Sequence, residues 1–383
     1  MRVLINAFSA RQGGGQTYLL NLLDCLPCGS DPEIIVLAPE SLNLLDARSN
    51  INRLRINWPV ENPILRFFWE KIQLPRLLHE LGVDILFCPG GIIGSRAVPG
   101  CQTVTMFRNM LPFDLIQRRK YPPGYMRMRN WILHRLMLQS MLRADLVIFI
   151  SEYARSIIET IADGPLKKAL VIPHGINPRF RITDGGKGAR PEWLPKEEYL
   201  LYVSRIDVYK AQLEVVRGFA QLKEQRQTKE KLILVGTENP QYGRKVRAEI
   251  NRSGLGDEVV MVGSVRHEEL PAVYHHAKVN IFASESENCP NILLEALAAG
   301  RPIVASNRPP MPEFGGDAVI YFDPATPDDL AEKLARIVHD PDRMKELSTS
   351  AMERSFQFDA ARVAEQTWRA IAKLHQGGCQ SAR

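Results

Sequence analysis

The stretch Ser284-Glu-Ser-Glu-Asn-Cys-Pro-Asn-Ile-Leu-Leu-Glu-Ala-Leu-Ala-Ala-Gly-Arg-Pro-Ile-Val-Ala-Ser306 decides the fold of this chain. A mostly apolar run, Val279–Ala283, precedes it and predicts a buried strand. Asn291–Ala299 contains good helix formers and is followed by Gly300, a typical helix end. Pro302–Ala305 then begins the next strand. Strand, loop, helix and strand in this order predict a parallel α/β sheet.

Two of the carboxylates in this stretch are candidate ligand contacts, Glu287 in the loop and Glu295 one turn inside the helix. The start of a helix presents backbone N–H groups and partial positive charge, which suit a phosphate. Carboxylates accept hydrogen bonds, and sugar hydroxyls donate them. The pattern therefore indicates a site for a ligand with a diphosphate and several hydroxyls. The alternative for Glu287 is a helix-capping carboxylate.

Composition sets broad limits on the class of protein. A length of 383 residues predicts two domains. Hydrophobic residues at 45% and charged residues at 24% are typical of a globular protein. The formal charge of +6 favours anionic partners, namely phosphates, nucleotides or an anionic membrane surface. We find no secretory leader and no apolar run of about 18 residues, and therefore expect a cytoplasmic protein with reduced cysteines.

Strand and helix patterns alternate through two halves of the chain. We predict an N-terminal Rossmann-like domain over residues 1–183 and a C-terminal one over 184–358. A Gly-rich linker at 181–195 joins them, and a helix at 359–376 packs back on the first domain. Parallel sheets bind ligands at the carboxyl ends of their strands, and a site is expected in the cleft between the domains. Cys25-x-x-Cys28 has no second pair, so free thiols are favoured over a zinc or redox site.

Two cations lie at the carboxyl end of a predicted strand in the second half. Arg205 and Lys210 follow Tyr199–Val203 directly. Such a pair suits a diphosphate, although a solvated basic pair on the surface is the alternative. Because Glu287 and Glu295 belong to the same sheet edge, the diphosphate interpretation is favoured.

These residues resemble a known family, the retaining glycosyltransferases of the GT-B fold, family four, also called group 1. The resemblance covers nearly the whole chain. Its most specific part is Glu287-x7-Glu295 followed by Gly300-x-Pro302. The weaker motifs are Ser204-Arg205 with Lys210, Val262–Val265, Gly13–Gly15, Ser151-Glu152-Tyr153 and Ile172–Gly175.

The resemblance implies roles for individual side chains. Arg205 and Lys210 would bind the donor diphosphate and assist its departure. Glu287 would face the donor sugar, and Glu295 would accept hydrogen bonds from the ribose. It also implies a UDP- or GDP-linked sugar donor, retention of configuration, and no metal or other cofactor.

The resemblance further implies roles for backbone groups. Those near Val265 would hold the base, and those of Asn291, Ile292 and Leu293 the phosphates. Gly14 and Gly15 would close over the phosphates from the other domain.

Two stretches depart from the family pattern. Asn288-Cys289-Pro290 stands where many members have Gly-Phe-Gly, so the donor sugar is not implied. Arg108-Asn109 stands where many have His-Asp. Arg108 and Asn109 are candidate acceptor or sugar contacts, and a structural role for Arg108 is equally open.

The acceptor is expected to be a saccharide or a lipid-linked saccharide, as in surface polysaccharide biosynthesis. Basic, aromatic and methionine residues are mixed over 118–131, which suits the anionic inner face of a membrane. Phe67-Phe68-Trp69 is a candidate second anchor. The alternative is a core helix with a basic outer face.

Two rival functions stay open. One is a nucleotide-sugar epimerase on the same fold, although no further catalytic acid pattern supports it. The other is a non-catalytic protein that binds nucleotides or nucleic acid. Nucleic acid is not expected as a partner, because the basic residues are dispersed and no reader motif occurs.

Overall fold

The computed structural model describes residues 1–10, 14–26, 32–40, 42, 50–181, 186, 188–226 and 228–381. The chain divides into two compact units. Unit 1 comprises Met1–Gly175 and Ala360–Arg383, and unit 2 comprises Ile176–Asp359.

Unit 1 is built on a parallel sheet of short apolar strands. Its described strands are β1 (Arg2–Asn6), β2 (Glu33–Leu37), β3 (Ile51–Arg53), β4 (Ile85–Cys88), β5 (Gln102–Phe107), β6 (Leu146–Phe149) and β7 (Ala169–Val171). Their order in the sheet is β3-β2-β1-β4-β5-β6-β7. Every residue of β4 and β6 is buried, whereas the edge strands β3 and β7 are partly exposed. Continuous apolar strands form the centre because helices cover both faces of such a sheet.

The helices of the first part of unit 1 lie between these strands in sequence. They are α1 (Gly14–Asp24), α2 (Pro63–Ile72), α3 (Leu74–Glu80), α4 (Leu115–Lys120), α5 (Tyr125–Arg143) and α6 (Glu152–Ile161). The sequence favours a helix near Ile72–Leu81, and α3 covers most of that range. Helix α2 ends at Ile72, and α3 begins at Leu74 with Pro75 in its first turn. Proline is tolerated there but interrupts a helix that would continue through it.

Unit 2 repeats the architecture with a second parallel sheet. Its described strands are β8 (Tyr199–Val203), β9 (Lys231–Val235), β10 (Val259–Gly263), β11 (Val279–Phe282), β12 (Ile303–Ser306) and β13 (Ile320–Phe322). Their order is β10-β9-β8-β11-β12-β13. The predicted class, α/β with two Rossmann-like sheets, is confirmed.

The helices of unit 2 again alternate with its strands. They are α7 (Gln212–Arg226), α8 (Pro240–Arg252), α9 (Leu270–His276), α10 (Asn291–Ala298), α11 (Met311–Gly315), α12 (Pro327–Ile337) and α13 (Pro341–Ser355). Gly300 lies just beyond the predicted end of α10 with a φ of +58°, a left-handed conformation that glycine favours.

Contacts at the division of the chain explain where the two units meet in sequence. The N–H of Ile176 donates to the carbonyl of Phe358 at 2.7 Å, and Arg181 pairs with Asp359 at 3.1 Å. Residues 176–181 are therefore tied to the end of unit 2, earlier than the predicted division at 183. Residues 182–185 and 187 of the predicted linker lie outside the described residues, as do Gly13 and Cys28.

The last helix, α14 (Ala360–Ser381), belongs to unit 1. Trp368 is buried on it, and its indole N–H donates to the carbonyl of Leu22 on α1 at 2.9 Å. The chain thus returns to its first helix after completing unit 2. No helix in the described part of the chain is long and apolar enough to cross a membrane.

Candidate active site

The candidate site of unit 2 lies at the carboxyl edge of its sheet, where β8 and β11 are neighbours. From β8 the chain proceeds to β9 and β10, and it returns to the other side of β8 at β11. Val279 and Asn280 of β11 are in register with Leu200 and Leu201 of β8. The loops that follow the two strands therefore start side by side at the carboxyl edge. Such a point, where the strand order reverses, is where open α/β sheets bind ligands.

An ion pair joins these two loops. The Nζ atom of Lys210 contacts the Oε1 atom of Glu287, and the two side chains are only 8% and 15% exposed. The ammonium also lies 5.1 Å from the ring centre of Tyr209 and 5.5 Å from that of Phe282. Between the loops, the N–H of Glu285 donates to the carbonyl of Tyr209 at 2.8 Å. The sequence-predicted Lys210 and Glu287 are thus brought into direct contact.

The loop after β8 is fixed by its own hydrogen bonds. The Tyr202 hydroxyl donates to the carbonyl of Lys210 at 2.7 Å, and the Gln212 amide donates to the carbonyl of Arg205 at 2.9 Å. Lys210 is therefore held at both its backbone and its ammonium group. Arg205 differs, because its side chain is 57% exposed and its Nε lies 3.5 Å from Asp207. The structure does not place Arg205 in the Lys210–Glu287 pair.

The start of α10 lies in the loop that carries Glu287. The residue before this helix is Pro290, whose side chain cannot accept a hydrogen bond, and no side chain caps the helix there. The backbone N–H groups of the first turn, including Ile292 and Leu293, consequently point out of the helix without a capping side chain. Together with the helix dipole they make this end suitable for an anion.

Glu295 lies one turn further along α10 in a partly buried environment. The Tyr274 hydroxyl donates to its Oε2 atom at 3.2 Å. Burial raises the pKa of Glu295 to about 7, while the Tyr274 hydrogen bond and the charge of Arg179 act against that increase. A carboxyl group with this pKa changes its charge near neutral pH.

Tyr274 and Arg179 were not identified from the sequence. Tyr274 lies on α9, and Arg179 lies in a short turn, Pro178–Phe180, that belongs to unit 2. Burial lowers the pKa of Arg179, and the carboxylates of Glu295 and Glu268 oppose this. Neither residue is close to Glu295 in sequence, so no local motif marks them.

Val265 lies two residues beyond the end of β10 and is half-buried. The strand ends at Gly263, which has a φ of +79°, and the N–H of Gly236 donates to the carbonyl of Gly263 at 2.8 Å. The segment therefore begins at the carboxyl edge, but one strand, β9, separates β10 from β8.

The candidate residues of unit 1 gather at the start of α1. Gly14 and Gly15 open this helix shortly after β1, and Arg108 follows β5. A Cβ atom on Gly15 would lie 3.5 Å from both terminal nitrogens of Arg108. The Arg108 guanidinium lies 5.5 Å from the Tyr18 ring. The structure thus brings Arg108 beside Gly15, whereas Asn109 is exposed.

Tyr18 connects Arg108 to the end of β7. The rings of Tyr18 and His174 lie 5.3 Å apart, and both residues are buried. Burial raises the pKa of the Tyr18 hydroxyl to about 12, although Thr367 and Arg108 oppose it. Tyr18 and His174 were not proposed as site residues from the sequence.

The stretch 118–131 exposes a mixed surface on α4 and α5. Tyr125, Met128 and Trp131 are exposed, as are Leu115, Ile116 and Ile132 around them. Arg127 donates to the carbonyls of Tyr121 and Arg119, so this arginine also holds the connection between the helices. Trp69 is unsuitable as the predicted second anchor, because it is buried and packs edge-on against Phe8 at 5.9 Å.

Within the described residues, no group of three or more His, Cys, Asp or Glu side chains is placed to hold a metal ion.

Two family models match consecutive parts of the chain. Residues 12–180 match the model described as Glycosyltransferase Family 4, and residues 189–354 match the one described as Glycosyl transferases group 1.

Two curated relatives match along nearly their whole length. A GDP-mannose-dependent alpha-(1-6)-phosphatidylinositol monomannoside mannosyltransferase of Mycobacterium tuberculosis is 28% identical, with 92% of this chain and 93% of the relative covered. An N-acetylgalactosamine-N,N'-diacetylbacillosaminyl-diphospho-undecaprenol 4-alpha-N-acetylgalactosaminyltransferase of Campylobacter jejuni is 23% identical, with 93% and 95% covered.

Solved structures share the fold at low sequence identity. Sucrose-phosphate synthase from Thermosynechococcus elongatus superimposes with a TM-score of 0.79 at 18% identity, over 98% of this chain and all of that one (100%). WaaG, a glycosyltransferase involved in lipopolysaccharide biosynthesis, superimposes with a TM-score of 0.70 at 13% identity, over 96% and 98% of the two chains.

Proposed function

Since this chain belongs to family four of the glycosyltransferases and has the GT-B fold, we propose that it transfers a sugar from a nucleotide-diphosphate sugar to a saccharide or lipid-linked saccharide. The transfer retains the configuration of the sugar and needs no essential metal. The donor nucleotide is UDP or GDP. GDP-mannose is the first donor to test, because the Mycobacterium tuberculosis relative is named as GDP-mannose-dependent.

The buried Lys210–Glu287 pair carries this proposal. It lies at the switch point of the unit 2 sheet, and its Glu287 is in the loop that also starts α10. As the bond between the sugar and the diphosphate breaks, negative charge grows on the diphosphate and positive charge on the sugar carbon. Lys210 and the N–H groups of Ile292 and Leu293 stabilise the former, and Glu287 faces the latter.

The proposed transfer balances without a further reactant. The bond from the anomeric carbon to the diphosphate oxygen breaks, and the acceptor hydroxyl oxygen forms the new bond to that carbon. The acceptor proton leaves with the diphosphate. Arg205, whose exposed side chain is free of the Lys210–Glu287 pair, binds the outer phosphate oxygens, for which a guanidinium is well suited.

The remaining donor groups are assigned to the residues around α10 and β10. Glu295 accepts hydrogen bonds from the ribose hydroxyls, and the backbone at Val265 holds the base. In unit 1, Gly14 and Gly15 contact the phosphates, while Arg108 and Asn109 contact the acceptor or the sugar. The surface over 118–131 faces the inner leaflet of the cytoplasmic membrane, where a lipid-linked acceptor of polysaccharide assembly is found.

The test begins with a thermal-shift screen of nucleotide sugars, because a true donor stabilises the folded chain by mass action. GDP-mannose, UDP-glucose and UDP-N-acetylglucosamine are compared with free GDP and UDP. The stabilising donor is then incubated with lipid-linked saccharide acceptors, with and without a metal chelator. We expect nucleotide diphosphate and an α-linked product to appear only when acceptor is present.

Other outcomes contradict the proposal in distinct ways. An isomerised nucleotide sugar formed without acceptor identifies an epimerase. Inversion at the anomeric carbon contradicts retention, and loss of activity with chelator contradicts metal independence. Tight nucleotide binding with no turnover on any acceptor points to a non-catalytic binding protein.

A further inference from the structure

A cavity in unit 1 lies at the opposite edge of its sheet from Arg108. Its volume is about 900 Å³, and its lining includes Thr103 near the start of β5 and Asp145 just before β6. These positions are at the amino ends of the strands. Helices α2 and α5 form its sides. The cavity is therefore separate from the residues assigned to donor and acceptor.

The cavity contains an excess of positive charge. Its lining has one acid, Asp145, and five cations: Lys71, Arg96, Arg143, Lys167 and Lys168. Asp145 already accepts hydrogen bonds from the N–H and hydroxyl of Thr103, at 2.8 and 2.9 Å. None of the five cations is in an ion pair with a carboxylate of the described ranges. Their charge is thus available to an anion from outside.

Apolar side chains line the cavity beside these charged ones, and further apolar side chains are exposed on α2. Phe67, Ile93 and Leu136 line its walls, and Leu142 on α5 lines it while remaining 51% exposed. On α2, a stripe at four-residue spacing faces solvent: Ile64, Phe68 and Ile72 are 68%, 52% and 51% exposed. Helix α2 thus carries both cavity-lining residues, Phe67 and Lys71, and an exposed apolar stripe, and such exposed apolar surface marks an interaction site.

We propose that this cavity binds the phosphate head group of an anionic phospholipid, with α2 and α5 lying against the membrane. The five cations contact the phosphate, and the exposed side chains of α2 together with Leu142 enter the acyl region. A free phosphate ion satisfies only the cations, and it leaves the apolar stripe in water. A lipid satisfies both because it carries charge and hydrocarbon in one molecule.

The first experiment measures flotation of the full chain with vesicles of phosphatidylcholine, with or without phosphatidylglycerol. The test variant is R143Q/K167Q/K168Q, in which all three changed residues are exposed. The control variant K229Q/R244Q/K345Q removes the same charge from exposed sites of unit 2. We expect the test variant to bind phosphatidylglycerol vesicles roughly a hundredfold more weakly and the control to bind like the parent. Equal loss in both variants overturns the proposal.

The second experiment separates lipid from free phosphate. F68S/I72S keeps the five cations and removes the apolar contact of α2, and its unfolding temperature is measured to verify folding. Weaker vesicle binding by this folded variant supports a lipid site. Vesicle binding that is unchanged in this variant, and abolished by inorganic phosphate at matched ionic strength, identifies a simple anion site and overturns the lipid assignment.

Discussion

Replacing Lys210 by methionine tests whether the buried ion pair serves the chemistry or only the fold. Methionine has a similar length and no charge, so the change leaves the Glu287 carboxylate without its ammonium partner. The two side chains are only 8% and 15% exposed, so water replaces the lost partner poorly. The contact of the Lys210 ammonium with the rings of Tyr209 and Phe282 is lost as well.

The expected loss in stability follows from this burial. Removing one partner of a buried pair costs about 3 to 5 kcal/mol, because the other charge stays buried and unpaired. The pair here is slightly open, so we expect about 3 kcal/mol from K210M. The double variant K210M/E287Q removes both charges and should recover most of this loss, because no unpaired charge remains.

Activity is expected to follow a different order from stability. If Lys210 stabilises the leaving diphosphate and Glu287 faces the sugar, both K210M and the double variant should lose about 10² to 10³ in kcat. Urea unfolding gives the stability of each variant, and release of nucleotide diphosphate in the presence of acceptor gives kcat.

A matched control lies elsewhere in the same unit. Lys278 lies directly before β11, away from the carboxyl edge. Its side chain is 14% exposed and pairs with Glu198 at 2.7 Å and Glu230 at 2.5 Å. K278M should therefore be destabilised like K210M and keep a near-parental kcat. If the double variant K210M/E287Q regains activity together with stability, the pair is structural and the catalytic assignment fails.

Three further predictions concern other parts of the molecule. Burial raises the pKa of Glu295 to about 7, and its ionised form is the better acceptor for hydroxyls, so the KM for the donor should fall as the pH rises through 7. E295Q should lack that dependence, and an unchanged pH profile would remove Glu295 from the ribose site. In G15A, the new Cβ meets its nearest neighbours at 3.5 Å, so the unfolding temperature should stay the same. Donor affinity should fall, because the donor phosphates approach this backbone. Unaltered affinity argues against that approach. W368F removes the hydrogen bond to Leu22 and should cost about 1 to 2 kcal/mol in urea unfolding, and a smaller loss would show that α14 does not depend on it.

Site residues that lie close together in the sequence were predictable from local patterns. The spacing Glu287-x7-Glu295 and the glycine after α10 lie within one loop and one helix. Their relation to Lys210 required only the rule that carboxyl ends of parallel strands share an edge. The strands β3, β7 and β13 leave no clear pattern in the sequence, because each has three residues and lies at the edge of a sheet, where no long apolar run is needed.

Distant residues that no such rule relates were not predictable from the sequence. Arg179 acts on Glu295 across more than a hundred positions, and the turn that carries it precedes the whole sheet of unit 2. The direction of Arg205, toward Asp207 instead of Glu287, depends on side-chain packing. The cavity of unit 1 likewise collects cations from several separate segments that share no motif.

The loop between Glu287 and α10 shows what such packing means for specificity. If the enzyme has an unusual sugar preference, the sequence predicts that Asn288-Cys289-Pro290, together with Arg108, sets it. In the structure, the side chains of Asn288 and Cys289 are buried. Side chains in that position support the loop from beneath, and Pro290 fixes the backbone angle before the helix. Any effect of this tripeptide on sugar preference therefore has to act through the shape and the N–H groups of the backbone. Donor specificity should accordingly respond more to changes that reshape the loop than to changes in the chemical character of its side chains.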